Sequence, residues 1–274
     1  MFLAACVQVR GTRDVAANLA TVERFVRRAA GWGATFVATP ENTPFVGPAP
    51  ERVALAEPLE GPIVTRFRDL ARECRIHLLL GSFAEAIPLP GGGWDPTRSW
   101  NTSALLGPDG TILATYRKIH LFDAEVPGQA PHRESDSMVP GTEVEVVDTP
   151  LGRVGLSICY DLRFPGLYQV LGDRGAEILC VPAAFTLMTG RDHWDPLLRA
   201  RAVETQCWVV APGQWGPHDD DGTRRSWGRS SIVDPWGTVV ARCGDGEGIC
   251  LAEVDLDRVR EIRASMPVAA HRRI

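Results

Sequence analysis

The chain has 274 residues, of which 45% are hydrophobic and 23% charged, and 29 Lys and Arg against 34 Asp and Glu give a formal net charge of −5. These values are typical of globular proteins, and the mild acidity argues against a nucleic-acid partner, which needs a basic surface. No apolar run approaches the roughly 20 residues that cross a bilayer, so we also predict no membrane span.

Cysteine usage indicates the compartment. The seven cysteines are odd in number and widely spaced, and most lie in apolar segments. This pattern is typical of reduced thiols rather than of a disulfide framework. Residues 1–9 lack a charged segment ahead of a long apolar run, so they are interpreted as a buried strand and not as a signal peptide. We therefore predict a cytoplasmic protein.

Strand and helix patterns alternate from the first residues. Residues 2–9 are continuously apolar, which predicts a buried strand. Asp14 suits the N-cap of a helix that ends at residues 31–33. Along this helix apolar residues recur at spacings of three and four: Val15, Leu19, Val22 and Val26. The next predicted elements are a strand at 35–39, a helix that begins at Pro62 and carries Ile63, Phe67, Leu70 and Cys74 on one face, and a strand at 76–80.

A hairpin follows, and after a loop that contains Pro and Gly the alternation restarts. The hairpin turn is Gly107-Pro108-Asp109-Gly110, between strands at 101–106 and 111–116. The later predicted elements are strands at 144–147 and 154–158, a helix at 165–173, a strand at 178–181, a helix at 194–205, a strand at 207–211, a hairpin turn at 234–237 and a strand at 249–254.

Each half of the chain thus has the pattern βαβα followed by antiparallel strands. We predict a single domain, residues 1–274, made of two similar halves. The strands are apolar enough to be buried on both faces, which predicts an α/β fold with two sheets packed face to face and helices outside. Five long connections are predicted to build a site, at about residues 40–60, 84–100, 119–142, 183–192 and 213–228.

Three polar residues follow predicted strands, at the edge where open α/β sheets bind ligands. Cys159 lies at a strand-to-helix elbow, where backbone N–H groups favour a thiolate. Glu41 follows Pro40 and could take the thiol proton and return it to a leaving amine. Lys118 could stabilise an oxyanion. Together these residue types suit acyl transfer from an amide through a thioester.

Other interpretations of these residues are open at this point. Each of the three could be structural when taken alone, and Ser157 with His120 and Asp161 could suggest a serine hydrolase, although the final Gly of a nucleophile elbow is missing. The six histidines show no metal-ligand spacing, and the acidic turn at 218–222 is more typical of a solvated loop than of a cation site. The glycines at 91–93 lack the Lys of a phosphate loop.

The flanking sequences are more specific than the single residues. The segments that carry the resemblance are Ala38-Thr39-Pro40-Glu41-Asn42, Tyr116-Arg117-Lys118-Ile119-His120 and Ser157-Ile158-Cys159-Tyr160-Asp161. They resemble the Glu, Lys and Cys motifs of the nitrilase superfamily of carbon–nitrogen hydrolases. The resemblance spans nearly the whole chain, and the segments 204–211 and 234–243 are similar to the Nit branch of that superfamily.

This resemblance implies a four-layer αββα sandwich that forms a homodimer, with no metal or organic cofactor. It implies Glu41 as general base and acid, Lys118 as oxyanion stabiliser and Cys159 as nucleophile. The backbone N–H of Tyr160 would complete the oxyanion hole, and Glu134, in the matching segment Glu134-Ser135-Asp136, would be a second carboxylate that orients Lys118 and the substrate.

The implied substrate is a small amide that carries a carboxylate. Arg163 is the best candidate to bind that carboxylate, with a structural ion pair as the equal alternative. The predicted substrate-binding residues are Arg163, Phe185, Thr189 and His193, with Trp194 as a further aromatic candidate. The chain departs from the branch pattern at Arg191-Asp192 and at Arg229, in segments expected to shape the pocket or a dimer contact.

Overall fold

The computed structural model describes residues 1–125, 132–219 and 222–273. The elements of the first part of the chain are β1 (Phe2–Gln8), α1 (Val15–Gly31), β2 (Phe36–Ala38), α2 (Ala49–Ala54), α3 (Pro62–Cys74), β3 (His77–Pro88), β4 (Trp94–Leu106), β5 (Ile112–Arg117), β6 (Asp123–Ala124) and β7 (His132–Arg133). A 3₁₀ turn at Glu134–Asp136 follows.

The second part begins with a hairpin and then alternates again. Its elements are β8 (Val146–Thr149), β9 (Gly152–Leu156), α4 (Pro165–Asp173), β10 (Ile178–Cys180), α5 (Leu187–Thr205), β11 (Trp208–Ala211), β12 (Trp215–Pro217), β13 (Arg225–Trp227), β14 (Ser231–Val233), β15 (Val239–Arg242), β16 (Gly248–Val254), α6 (Leu256–Ser265) and α7 (Val268–His271). A 3₁₀ turn at Cys159–Arg163 joins β9 to α4.

Two six-stranded mixed sheets form the centre of the fold. The first has the order β16-β1-β2-β3-β4-β5 and the second β15-β14-β11-β10-β9-β8. In each sheet three neighbouring strands are parallel, β1-β2-β3 and β9-β10-β11, and the outer strands are antiparallel. One strand crosses between the halves, because β16 pairs with β1 from Phe2↔Val254 to Gln8↔Gly248.

Alternate residues of β1 face two different cores. Ala4 and Cys6 belong to the core shared with the second sheet, whereas Ala5 and Val7 belong to the core under α1 and α3. Leu167 of α4 and Leu198 of α5 pack on the second sheet in the same way. Because both faces of the sheets are buried, the continuous apolar runs of the sequence are explained, and the predicted αββα layering is confirmed.

The helix ends follow local sequence signals. The Asp14 carboxylate accepts the N–H of Ala17 at 3.0 Å and so caps α1 as predicted. Pro62 and Pro165 occupy the first turns of α3 and α4, where a missing N–H leaves no helical hydrogen bond unmade. None of the helices in the described part of the chain is both long enough and apolar enough to cross a membrane.

Several of the stretches predicted as long connections contain regular structure. α2 lies within 40–60, the ends of β3 and β4 fill much of 84–100, α5 begins at Leu187, and β12 and β13 form a hairpin within 213–228. The added part of β4 is polar and exposed, and it therefore lacks the apolar pattern by which strands are recognised. Residues 126–131 of the stretch at 119–142 lie outside the described residues.

Gly81 of β3 lies behind the loop that follows β2, which gives a test of this packing. A Cβ at Gly81 would lie 1.9 Å from the carbonyl oxygen of Thr39 and 2.3 Å from that of Pro40. Since both atoms are backbone, we expect Gly81→Ala to lower the free energy of unfolding by about 2–3 kcal/mol in denaturant titrations. Gly166→Ala in α4, where a Cβ would meet nothing within 4 Å, is the control and should keep or raise stability. Equal denaturation midpoints for the wild type and Gly81→Ala would contradict this packing.

Candidate active site

The residues after three strand ends meet between the two sheets. Glu41 follows β2, Lys118 directly follows β5, and Cys159 lies shortly after β9. The Lys118 Nζ lies 2.9 Å from Glu41 Oε1, and the side chains of Glu41 and Cys159 line the same cavity. The structure thus brings together the three residues that the sequence singled out.

Both halves of the fold hold the Glu41 carboxylate. The Asn101 side-chain amide donates to Oε1 at 2.9 Å, and the Ala184 N–H donates to Oε2 at 2.8 Å. The Gln214 amide donates to the Glu41 carbonyl at 3.0 Å. Burial raises the pKa of Glu41, but the Lys118 charge and the hydrogen bonds, including that of Cys159, outweigh burial and hold this pKa below its usual value. Glu41 is therefore a buried, ionised base.

Lys118 is only 1% exposed, and two carboxylates neutralise it. In addition to Glu41, the Glu134 oxygens lie 2.8 and 3.1 Å from Nζ. The Phe122 N–H donates to Glu134 Oε2 at 2.8 Å and fixes that carboxylate. Burial lowers the pKa of Lys118, but the charges of Glu134 and Glu41 outweigh it and keep this pKa well above its usual value. Lys118 is therefore charged, and its charge also acts on the Cys159 thiol.

Cys159 has an unusual backbone conformation. Its φ is +48°, in the left-handed region that residues with a Cβ rarely adopt. The Cys159 N–H donates to the Pro182 carbonyl at 2.9 Å, whereas the N–H of Tyr160 has no acceptor among the described residues. Burial and the Glu41 charge raise the pKa of the Cys159 thiol well above its usual value. The resting site therefore holds a thiol beside an ionised base and a free N–H donor.

Asp161 supports the turn that carries Cys159. Its buried carboxylate accepts the Ile158 N–H at 2.8 Å, the His120 N–H at 3.0 Å and the Tyr116 hydroxyl at 2.8 Å. Ser157 instead contacts the Tyr168 hydroxyl and the Cys180 carbonyl, each at 2.8 Å. Ser157 and His120 therefore do not form the hydrogen-bonded pair that a serine hydrolase needs, and Asp161 is a structural anchor.

Two cavities meet at Cys159. The larger, of about 340 Å³, is lined by Glu41, Glu134 and a group of arginines and histidines from other loops. The smaller, of about 20 Å³, is lined by Tyr160, Arg163, Phe185 and Thr189. Phe122, Ala184 and Thr186 line both cavities. The nucleophile candidate thus faces a polar chamber on one side and a narrow, partly aromatic cleft on the other.

Three of the four predicted substrate-binding residues line the narrow cleft. Arg163 stacks over the Phe185 ring at 5.0 Å and makes no ion pair with a carboxylate of the described residues. His193 is exposed and lines neither cavity, and it reaches the site only through its 3.2 Å contact with Arg163. Trp194 is buried in the core against Phe185.

The departures from the branch pattern lie away from both cavities. Arg191 and Asp192 pair with each other on the surface at 2.8 Å, and Arg229 pairs with Asp245 at 2.9 Å. In the acidic turn, Asp219 accepts the Arg224 N–H, while Asp220 and Asp221 lie outside the described residues. No cluster of three or more potential metal ligands occurs in residues 1–125, 132–219 and 222–273.

Sequence reasoning missed several polar residues of the site. They are Asn101, Gln214, Arg52, Arg224 and His132. Asn101 opens a predicted strand and so carried a weak signal, whereas the others lie in segments without periodicity. They come from widely separated parts of the chain, and only the packing of the two sheets brings them together.

Known proteins match over nearly the full chain. The carbon-nitrogen hydrolase family model matches residues 3–264. A Homo sapiens protein named deaminated glutathione amidase is 48% identical over 274 residues, which cover 99% of this chain and 82% of that protein. Another human protein, Omega-amidase NIT2, is 40% identical over 275 residues, covering 99% and 95%. The crystal structure of Saccharomyces cerevisiae Nit3, described as a member of branch 10 of the nitrilase superfamily, is 30% identical with a TM-score of 0.86, covering 100% of this chain and 97% of that one.

The charge of Glu41 makes a prediction about the thiol. Because that charge raises the pKa of Cys159, we expect Glu41→Gln to lower the pKa of the thiol, so that thiolate absorbance appears at lower pH than in the wild type. The pH titration is followed by ultraviolet absorbance, with Cys159→Ala as the baseline that removes this thiol. A thiolate signal that moves to higher pH in Glu41→Gln would contradict the electrostatics described.

Proposed function

This chain belongs to the carbon–nitrogen hydrolase family, and we propose that it is an amidase that works through a thioester on Cys159. The family predicted from the sequence is thereby confirmed, and with it activity on amide carbon–nitrogen bonds. The observation that carries the proposed mechanism is the buried ion pair of Glu41 with Lys118, in which Glu41 lines the same cavity as Cys159.

Acylation begins with proton transfer. Glu41 takes the proton of the Cys159 thiol as the sulfur attacks the amide carbonyl carbon, and the carbonyl oxygen becomes an oxyanion. The Lys118 ammonium and the Tyr160 N–H stabilise that oxyanion. Lys118 is positively charged, and the Tyr160 N–H has no acceptor among the described residues. Glu41 then returns the proton to the leaving nitrogen. The carbon–nitrogen bond breaks as the oxyanion collapses, the amine leaves, and the acyl group remains on Cys159 as a thioester.

Deacylation uses the same groups in the reverse order. Glu41 takes a proton from water as the water oxygen attacks the thioester carbonyl, and the proton passes to the sulfur as the carboxylic acid leaves. Glu134 holds the Lys118 ammonium at 2.8 Å and takes no part in these proton transfers, so the ammonium keeps its position while Glu41 changes protonation state. The role of Glu134 is therefore to orient Lys118 and the bound substrate.

We assign deaminated glutathione as the substrate, with 2-oxoglutarate and cysteinylglycine as products. The support is the 48% identical human relative of that name, together with cationic side chains on both sides of Cys159 that suit a substrate with two carboxylates. Arg163, in the narrow cleft, is the candidate partner of the 2-oxo acid carboxylate. The alternative is an ω-amidase that releases ammonia from 2-oxoglutaramate, supported by the 40% identical relative.

The nucleophile and the substrate are tested in one assay. Cys159→Ala should lower hydrolysis of deaminated glutathione by at least about 10³-fold, because no other thiol lies at Glu41, and Cys74→Ala, a half-buried thiol on α3, is the matched control. Product release is measured by mass spectrometry for deaminated glutathione, 2-oxoglutaramate and a simple nitrile. Retained turnover in Cys159→Ala would remove the nucleophile assignment. A clear wild-type preference for 2-oxoglutaramate would favour the ω-amidase.

The same proposal includes a cytoplasmic location and a homodimer. Seven cysteines without a disulfide suit a reducing compartment. For the dimer, large apolar side chains are exposed on α4, α5, α7 and the turn before β15: Val170, Val203, Trp236 and Val268. Exposed apolar side chains on neighbouring elements suit a subunit interface.

The dimer is tested by light scattering after size exclusion. Val203→Glu places a charge on the exposed apolar face of α5, so the variant should be monomeric at micromolar concentrations where the wild type is dimeric. Trp32→Ser is the control, since Trp32 is 49% exposed at the end of α1 in the opposite helical layer. A monomeric wild type at these concentrations would refute the dimer.

A further inference from the structure

The larger cavity contains an arginine with unused hydrogen-bonding capacity. Arg52 of α2 donates one amine hydrogen to the Ser137 hydroxyl at 2.9 Å. Its Nε is buried and has no hydrogen-bond partner among the described residues. A buried donor without an acceptor is unfavourable, so this group is better explained by an acceptor that arrives with a ligand.

Arg224, from the other half of the chain, lines the same cavity. Its guanidinium donates to the Gly47 carbonyl, a neutral acceptor in the loop just before α2. Burial lowers the pKa of Arg52, the charges of Glu134 and Glu41 oppose that shift, and the positive charge of Arg224 adds to it. The two guanidinium groups thus line one cavity from opposite halves of the chain.

Neither guanidinium forms an ion pair with a carboxylate in the described ranges. Of the carboxylates that line this cavity, Glu41 and Glu134 are bound to Lys118, and Asp136 pairs with neither arginine. The charge of Arg224 also acts on His132 in the same cavity, where burial first and then Arg224 lower the pKa of the imidazole. The two guanidinium groups therefore have no direct carboxylate partner among the described residues, and an anion that binds between them would accept the free Nε–H of Arg52.

The mechanism determines which end of the substrate meets these arginines. Glu41 must give its proton to the departing amine, and Glu41 lines the larger cavity but not the narrow cleft. The amine therefore leaves through the larger cavity, because the cleft beside Arg163, at about 20 Å³, is too small for it. At about 340 Å³, the larger cavity has room for an amine as large as a dipeptide.

We propose that Arg52 and Arg224 form a subsite for the terminal carboxylate of the leaving amine. This inference rests on the proposed amidase function and names the part of the substrate by which the enzyme would recognise it. A carboxylate placed between the two guanidinium groups would accept from the free Nε of Arg52 and neutralise both charges. Amides that release ammonia carry no group for this subsite, so the subsite favours deaminated glutathione over 2-oxoglutaramate.

The test compares two substrates in Arg52→Met, which keeps the length of the aliphatic stem. The ratio of kcat/KM for deaminated glutathione to kcat/KM for 2-oxoglutaramate should fall by about 10- to 100-fold, mainly through KM, because the lost contact is remote from the reacting bond. Arg52→Lys should recover part of the ratio. Arg13→Met is the control, since Arg13 pairs with Glu51 of the same helix but lines neither cavity.

A capped substrate tests the subsite without relying on one variant. If the glycine carboxylate of deaminated glutathione is converted to an amide, kcat/KM of the wild type should fall by the same factor. Arg52→Met should then have little further effect on kcat/KM for this capped substrate. If Arg52→Met does not fold, the same comparison is made with Arg224→Met. Additive losses from cap and variant, or an equal loss in Arg13→Met, would overturn the subsite.

Binding separates failure of the subsite from failure of the amidase. Calorimetric titration of Cys159→Ala with deaminated glutathione should give a dissociation constant about 10- to 100-fold lower than that of Cys159→Ala with Arg52→Met. If the wild type hydrolyses neither amide, the proposed function fails and this titration still decides the subsite. Equal dissociation constants for the two proteins would overturn it.

Discussion

The buried ammonium of Lys118 is the constraint on which the rest of the site depends. A lysine charge that is 1% exposed is stable only if carboxylates replace its water, and Glu41 and Glu134 both do so. Two carboxylates around one ammonium leave a net negative charge beside the thiol. That charge keeps Cys159 protonated, and in the proposed mechanism the thiolate therefore forms only as a substrate carbonyl accepts the negative charge near Lys118.

The packing of the two sheets makes this arrangement possible. Glu41 and Lys118 follow strands of the first sheet, and Cys159 follows a strand of the second. The Glu41 carboxylate is held by Asn101 of the first sheet and by the Ala184 N–H from the second half of the chain. Because neither half alone satisfies all the hydrogen bonds of Glu41, the site is complete only in the packed sandwich.

Signals from neighbouring residues in the sequence predicted helix starts and the ends of buried strands. Asp14 and Pro165 mark helix starts that the structure reproduces, and the residues that follow apolar strands include the catalytic candidates. The polar end of β4 was not predictable, because an exposed strand has no apolar pattern. Arg52 and Arg224 were not predictable either, since their charges meet only through tertiary packing and no spacing in the chain connects them. The role of Asp161 as an anchor likewise depends on His120 and Tyr116, which come from β5 and the residues after it.

The crossing of β16 to the first sheet has a consequence for synthesis of the chain on the ribosome. β1 is made first, yet its antiparallel partner is β16, with Cys6 opposite Cys250. At about 5–20 residues per second, that edge of β1 stays open for on the order of ten seconds or longer before its partner is translated. An open apolar strand edge is a site for aggregation, so the nascent first half is the stage at which a chaperone would matter most.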